Sequence, residues 1–161
     1  MISKHKIDGL PGICGYELAS RYMKELGLTA AEIEQFYRRM VFNVLAVNQD
    51  DHVKNVSFLM DRSGKWTLSP AYDITFSYDT GNKWLRAHQM TINGKTDNIE
   101  LSDLLEAGKA MEIKEHRCKD IINDIQQVVC DFSGYASRIG IKESTTDYIR
   151  SIINKSIVNI D

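Results

Sequence analysis

Thr29-Ala30-Ala31-Glu32-Ile33-Glu34-Gln35-Phe36-Tyr37-Arg38-Arg39-Met40-Val41-Phe42-Asn43-Val44-Leu45 runs through Ala46-Val47 into Asn48-Gln49-Asp50-Asp51-His52-Val53-Lys54-Asn55. The first part opens with a hydroxyl at an N-cap and a carboxylate three residues on, the form of a capping box. Behind it Ile33, Phe36, Tyr37, Met40, Val41, Val44 and Leu45 recur at helical spacing, which predicts a largely buried helix ending near Val47. The polar run from Asn48 to Asn55 is too short and too polar to pack as an element, and it reads as a loop. A buried helix that delivers Asp50, His52, Lys54 and Asn55 within six positions is a costly arrangement unless those groups are used or paired. Loops held by rigid scaffolds are also where catalytic groups concentrate.

Working outward, Val56 to Met60 and Lys65 to Leu68 flank Asp61-Arg62-Ser63-Gly64, a pattern that predicts a β-hairpin. The proline of Ser69-Pro70-Ala71-Tyr72-Asp73-Ile74 argues against continuing the strand. From Thr75 to Glu100 the chain is hard to read, apart from Gly81-Asn82 and an Asn93-Gly94 turn signal. On the N-terminal side, Gly9, Pro11, Gly12 and Gly15 suggest an extended entry segment, and a short helix from about Tyr16 to Leu26 would end at Gly27. On the C-terminal side, Ser102 is expected to cap a short helix to about Ala107. Cys118, Ile121, Ile122, Ile125, Val128, Val129 and Phe132 form an apolar stripe, with Cys118 and Cys130 both expected in the core. A brief helix after Ser133 would end at Gly140, and Tyr148, Ile149, Ile152, Ile153 and Ile157 mark a last one. The expected fold class is mainly α (α+β), with one or two small hairpins in one domain over 1–161.

Twenty basic residues stand against twenty-two acidic ones, which argues against a generic nucleic-acid binder. The odd number of cysteines, three, with no close pair, fits reduced thiols better than a disulfide framework. No secretory leader follows Met1, and no apolar run approaches the roughly 18 residues of a membrane span. A cytoplasmic protein is expected.

The combination of Asn48-Gln49-Asp50-Asp51-His52-Val53-Lys54-Asn55 with Leu68-Ser69-Pro70-Ala71-Tyr72-Asp73-Ile74 closely resembles the signature of HipA-like serine/threonine kinases of bacterial toxin–antitoxin modules. The pattern there is an N-x-D-x-H-x-K-N loop, a short hairpin and an L-x-P-x-Y-D-I segment. Met90-Thr91-Ile92-Asn93-Gly94-Lys95 also looks like a family feature. The resemblance covers most of the chain, from about Gly9 through the C-terminal helices, and implies the helical C-lobe of a protein-kinase-like fold. The spacing suits phosphoryl transfer, which needs a carboxylate near the attacking hydroxyl and oxygen ligands for Mg²⁺. Asp50 and Asn55 stand five apart, as Asp and Asn do in the H-R-D-x-x-x-x-N loop of ordinary protein kinases. By resemblance Asp50 is the catalytic base, Asn55 and Asp73 are Mg²⁺ ligands, and Tyr72 lies beside the ATP. Lys54 and His52 are weaker candidates for phosphate contact or loop support. Family members phosphorylate aminoacyl-tRNA synthetases and pair with a DNA-binding antitoxin, which makes both candidate partners.

Plainer readings compete at each position. Asp50 and Asn55 could merely cap and close a turn, His52 could bond to backbone, and Asp51 reads as a solvated neighbour. Gly94-Lys95-Thr96 mimics the end of a P-loop, but the earlier glycine that motif requires is Gln89. His116 and Cys118 lie close together without a second pair at zinc spacing. No Gly-rich loop or strand lysine precedes Asp50, so the chain is expected to be one half of a kinase: a truncated chain, a split protein or a gene remnant. The nucleotide-covering lobe would then be a missing partner. Two other functions are carried as alternatives: a non-catalytic interaction domain, and a metal-dependent nuclease using Asp50, His52 and Asp73.

Overall fold

A computed structural model describes residues 14–160. Most of the expected extended entry segment, including Gly9, Pro11 and Gly12, lies outside the described residues. The chain runs α1 (Tyr16–Glu25), α2 (Ala30–Leu45), a 3₁₀ turn (Val53–Asn55), β1 (Phe58–Met60), β2 (Trp66–Leu68), α3 (Leu101–Ala110), α4 (Glu115–Cys130), α5 (Phe132–Arg138) and α6 (Glu143–Ile153). It is therefore mainly α with one small antiparallel sheet, as the periodicities imply.

The capping box forms as read. Thr29 Oγ1 accepts from Glu32 N at 3.3 Å, and Glu32 Oε2 accepts from Thr29 N at 2.8 Å. Glu32 does a second job, since its Oε1 accepts from Leu68 N at 2.9 Å and so fixes the start of α2 to β2. These contacts hold its carboxyl below the usual range, the Thr29 backbone bond first. Ile33, Phe36, Tyr37, Met40, Val41, Val44 and Leu45 are all buried. This makes α2 the central helix, packed against α1, α4 and β2. Arg117 of α4 clamps Glu34 of α2 with two hydrogen bonds, Nε to Oε2 at 2.9 Å and Nη2 to Oε1 at 2.5 Å.

The hairpin pairs Phe58 with Leu68, Leu59 with Thr67 and Met60 with Trp66. Its turn is closed by Asp61 Oδ1, which accepts from Ser63 N and Lys65 N. Gly27 and Gly140 both take positive φ just past a helix, a left-handed backbone that an L side chain adopts only with strain. The unreadable stretch is stitched down through its backbone. Ser77 N donates to Val47 O at 3.0 Å, Gln49 N donates to Ser77 O at 2.9 Å, and Thr91 bonds to Tyr16 N and Cys14 O. Asn93 and Gly94 both have positive φ, the pattern of a type I′ turn, with Ile92 and Lys95 paired across it.

Several expectations need correction. The α3 cap is not Ser102: Glu100 and Asp103 form the box instead, because carboxylates can accept the same backbone bonds as hydroxyls. Cys118 is buried as expected, but Cys130 is exposed. It stands at the last position of α4, where the apolar stripe runs out. Ile157 lies beyond the end of α6.

Candidate functional site

After α2 the backbone crosses from helix to an extended run. Along such a run successive side chains point to opposite sides. Asp51 turns inward and its carboxylate is fully buried, while Asp50 and His52 face outward with side chains 45% and 38% exposed. The loop then tightens into the 3₁₀ turn, closed by Asn55 Nδ2 donating to the Asp50 carbonyl at 2.9 Å. His52 Nε2 sits 3.8 Å from Asp50 Oδ1.

The second segment lies along the first. Tyr72 donates its hydroxyl to Lys54 O at 2.7 Å, Arg39 Nη2 donates to Ser69 O at 2.6 Å, and Asn48 Nδ2 reaches Asp73 O at 3.4 Å. Asp73 has φ +54, a left-handed conformation that costs a non-glycine residue about 1–2 kcal/mol and must be held by its surroundings.

A hollow of about 20 Å³ lies between the two segments, lined among others by Asn48, His52, Asn55, Tyr72 and Asp73. Of the residues singled out from sequence, four thus meet at one place: His52, Asn55, Tyr72 and Asp73. Asp50 lies outside that lining but is tied to it through Asn55 and His52. Lys54 is exposed and meets the group only through its carbonyl. Two buried polar atoms that face no protein partner, Asn48 Oδ1 and His52 Nδ1, belong to residues of the same lining. Larger cavities of about 350 and 440 Å³ exist elsewhere and include none of the six predicted residues.

The donor set can be tested against the implied magnesium. A carbonyl only accepts, so Asn55 must turn its amide nitrogen towards Asp50 O, which leaves its oxygen as the free end. Asp73 is exposed and adds a carboxylate. A carboxamide oxygen, a carboxylate and an orphaned amide oxygen suit a hard cation that keeps several waters. The hollow exceeds the roughly 10–15 Å³ a water requires, so it can take an ion or a water. The residues present fit the group.

Asp51 reads from sequence as a solvated neighbour, but it is buried. Its Oδ2 accepts from Tyr16 OH at 2.8 Å and from His88 Nδ1 at 3.0 Å, and its Oδ1 accepts from Gln89 N at 2.8 Å. Nothing local signals this, because the side-chain partners are 35 and 37 residues away. The Gly94-Lys95 pair is structural: Lys95 Nζ bonds Asp103 Oδ2 at 2.8 Å.

A model of the HipA-like C-terminal domain matches residues 3–132. The chain belongs to this family. The match takes in the loop, the hairpin and the Tyr72-Asp73 segment of this HipA-like domain and stops at the start of α5, so α5 and α6 lie beyond it, short of the C-terminal helices that the resemblance was expected to reach. A search of curated proteins returns no match. No helix among the described residues is long and apolar enough to cross a membrane.

Proposed function

We propose that this HipA-like domain is the catalytic lobe of a protein serine/threonine kinase, with Asp50 as base and Asn55 and Asp73 as the magnesium ligands. The observation that carries the reading is the meeting of Asn55 and Asp73 at one small hollow, beside an Asp50 whose own carbonyl Asn55 holds. Magnesium–ATP would supply the transferable γ-phosphoryl group and neutralise its charge. The chain's residues would do the rest. Asp50, half-exposed, accepts the proton of the incoming protein hydroxyl as its oxygen bonds to phosphorus and the bond to the leaving ADP breaks. His52 stands 3.8 Å from that carboxylate and supports its orientation. Tyr72, pinned to Lys54 O, offers an aromatic wall beside the nucleotide, and Lys54 is free to meet a phosphate.

The hollow suits an ion and is far too small for a nucleotide, so the base and phosphates would lie across its mouth under a separate covering lobe. In the protein that joins this domain to that lobe, Asp50→Ala should lower phosphoryl transfer by about 10²–10⁴-fold, the usual contribution of general base catalysis. In this chain alone, Mn²⁺ should bind and the binding should be lost in Asp73→Ala. Transfer unaffected by both substitutions would rule the assignment out. Mn²⁺-dependent cleavage of plasmid or RNA would replace it with the nuclease reading.

A further inference from the structure

Several buried polar side chains around Asp51 form one connected set. It starts at Asp51 on the loop, whose carboxylate takes three donors from two other parts of the chain: Tyr16 of α1, and His88 and the Gln89 amide of the 88–89 segment. From Tyr16 it continues inward. Asn43 Nδ2 donates to Tyr16 OH at 2.9 Å, and Asn48 Nδ2 donates to Asn43 Oδ1 at 3.0 Å. The same Asn48 nitrogen ends the path on the carbonyl of Asp73. Tyr16, Asn43, Asn48, Asp51 and His88 are all buried.

We propose that Asp51 is a positioning residue whose buried carboxylate, acting through Tyr16, Asn43 and Asn48, locks the 48–55 loop and the Asp73 segment into one arrangement. The assignment of Asn55 and Asp73 as ligands is taken from the functional reading above; the network itself does not depend on it.

The energetics favour a positioning role over simple burial. A buried carboxylate is expensive unless its hydrogen bonds are met, and bonds to a charged acceptor are the strong ones. With both oxygens of Asp51 engaged, the carboxylate has one place to sit. An ionised carboxylate only accepts, so His88 must carry its proton on Nδ1. Burial and the Asp51 charge push the Tyr16 phenol well above its ordinary value, so it stays a donor. Alternation along the extended backbone then carries the constraint to the neighbours: with Asp51 fixed inward, Asp50 and His52 must face out. At the far end, the path reaches a residue in a strained conformation, Asp73 at φ +54, which the network helps to hold.

Hydrogen–deuterium exchange on the chain tests this, with Tyr16→Phe, Asp51→Asn and Asp103→Asn as variants. Tyr16→Phe keeps the ring against Phe36, 5.5 Å away between centroids, so it should fold even if Asp51→Asn does not. Asp103 is equally buried but belongs to a separate cluster with Asn93 and Lys95, and serves as the control for general destabilisation. The expected result is that the amides of Asn48, Gln49, Asn55 and Ser77 exchange about tenfold faster together in Tyr16→Phe and Asp51→Asn, the local opening that loss of a charge-assisted bond produces. The amides of α3 and α4 should not change, and Asp103→Asn should leave the four loop amides as they were. Acceleration limited to one loop, acceleration spread evenly over the helices, or the same loop response in Asp103→Asn would each overturn the proposal. Mn²⁺ titration of the same proteins adds a functional arm, with affinity falling about tenfold in Tyr16→Phe if the loops are held for the ion. Should the wild type bind no Mn²⁺, the ligand assignment fails, and the exchange pattern alone still decides the role of Asp51.

Discussion

An amide side chain has two different ends, and the proposed function gives each end of Asn55 a different task. Its nitrogen closes the loop on Asp50 O, and the proposed function gives its oxygen to a cation, so turn closure and the proposed ligation are complementary at this position. The two tasks can be separated by substitution. Asn55→Ala removes both and should lower stability by about 1 kcal/mol, the net worth of one such bond, and abolish Mn²⁺ binding. Asn55→Asp removes the donor but keeps a hard oxygen and adds charge, so it should lose similar stability and still bind Mn²⁺. Urea denaturation and a Mn²⁺ titration of both variants measure this. A loss of the ion in Asn55→Asp as complete as in Asn55→Ala would mean that the outward oxygen is no ligand. The grouping of Asn55 with Asp50 and His52 was legible because Asp50, His52, Lys54 and Asn55 are crowded into one short polar run. The burial of Asp51 within the same run was not, because local chemistry cannot tell two adjacent aspartates apart when the deciding donors, Tyr16 and His88, are far along the chain.

Among the elements, those specified by neighbours three or four residues away were readable: α2 with its capping box, the hairpin around Asp61–Gly64, and the Asn93-Gly94 turn. Those that depend on what packs against them were not. The stripe of α4 predicts which face is buried but not where the burial ends, so Cys130 came out exposed. Close helix approach is equally invisible in sequence. Gly108 lies on α3 where an added Cβ would collide with Cys118 Sγ of α4 and stand 3.1 Å from Tyr37 Cε2 of α2. Alanine there gains about 1 kcal/mol in helix propensity but incurs about 1–3 kcal/mol of overpacking. The second effect should win, leaving Gly108→Ala less stable by about 1 kcal/mol, or a fall of about 2–4 °C in Tm for a chain of this size. Placing the same change in a Cys118→Ala background frees the contact, and there Gly108→Ala should be neutral or stabilising. Additive losses in that double-mutant cycle would show that the three helices are not in contact at Gly108.

For the molecule as a whole, near-neutral charge hides an uneven response to acid. The carboxyls of Glu32, Glu34, Asp61, Asp103 and Glu115 are all held below their ordinary range. They do not weigh equally. Asp61 and Glu115 are solvent-screened and contribute little. Glu34 is held down by its two bonds from Arg117. For Asp103, burial pushes the other way, and Lys95, the Glu100 amide and Asn93 outweigh it. Each lowered carboxyl binds its proton more weakly in the folded chain than in the unfolded one, where Asp and Glu titrate near about 3.9 and 4.3. Its stabilisation is therefore complete above about pH 5 and lost as pH falls through the folded value. Urea midpoints taken from about pH 6 down to about pH 2.5 should be level at first and then drop. Asp103→Asn and Glu34→Gln should each start lower and drop less steeply, because the group that would take up the proton is gone. About 1 M salt should flatten the contribution of the Glu34–Arg117 pair, which is partly exposed, more than that of buried Asp103. If the wild-type midpoint stayed level through the whole range, these carboxylates would be as free in the folded chain as in water, and the bonds that anchor α2 to α4 and the Asn93 turn to α3 would contribute nothing to the fold.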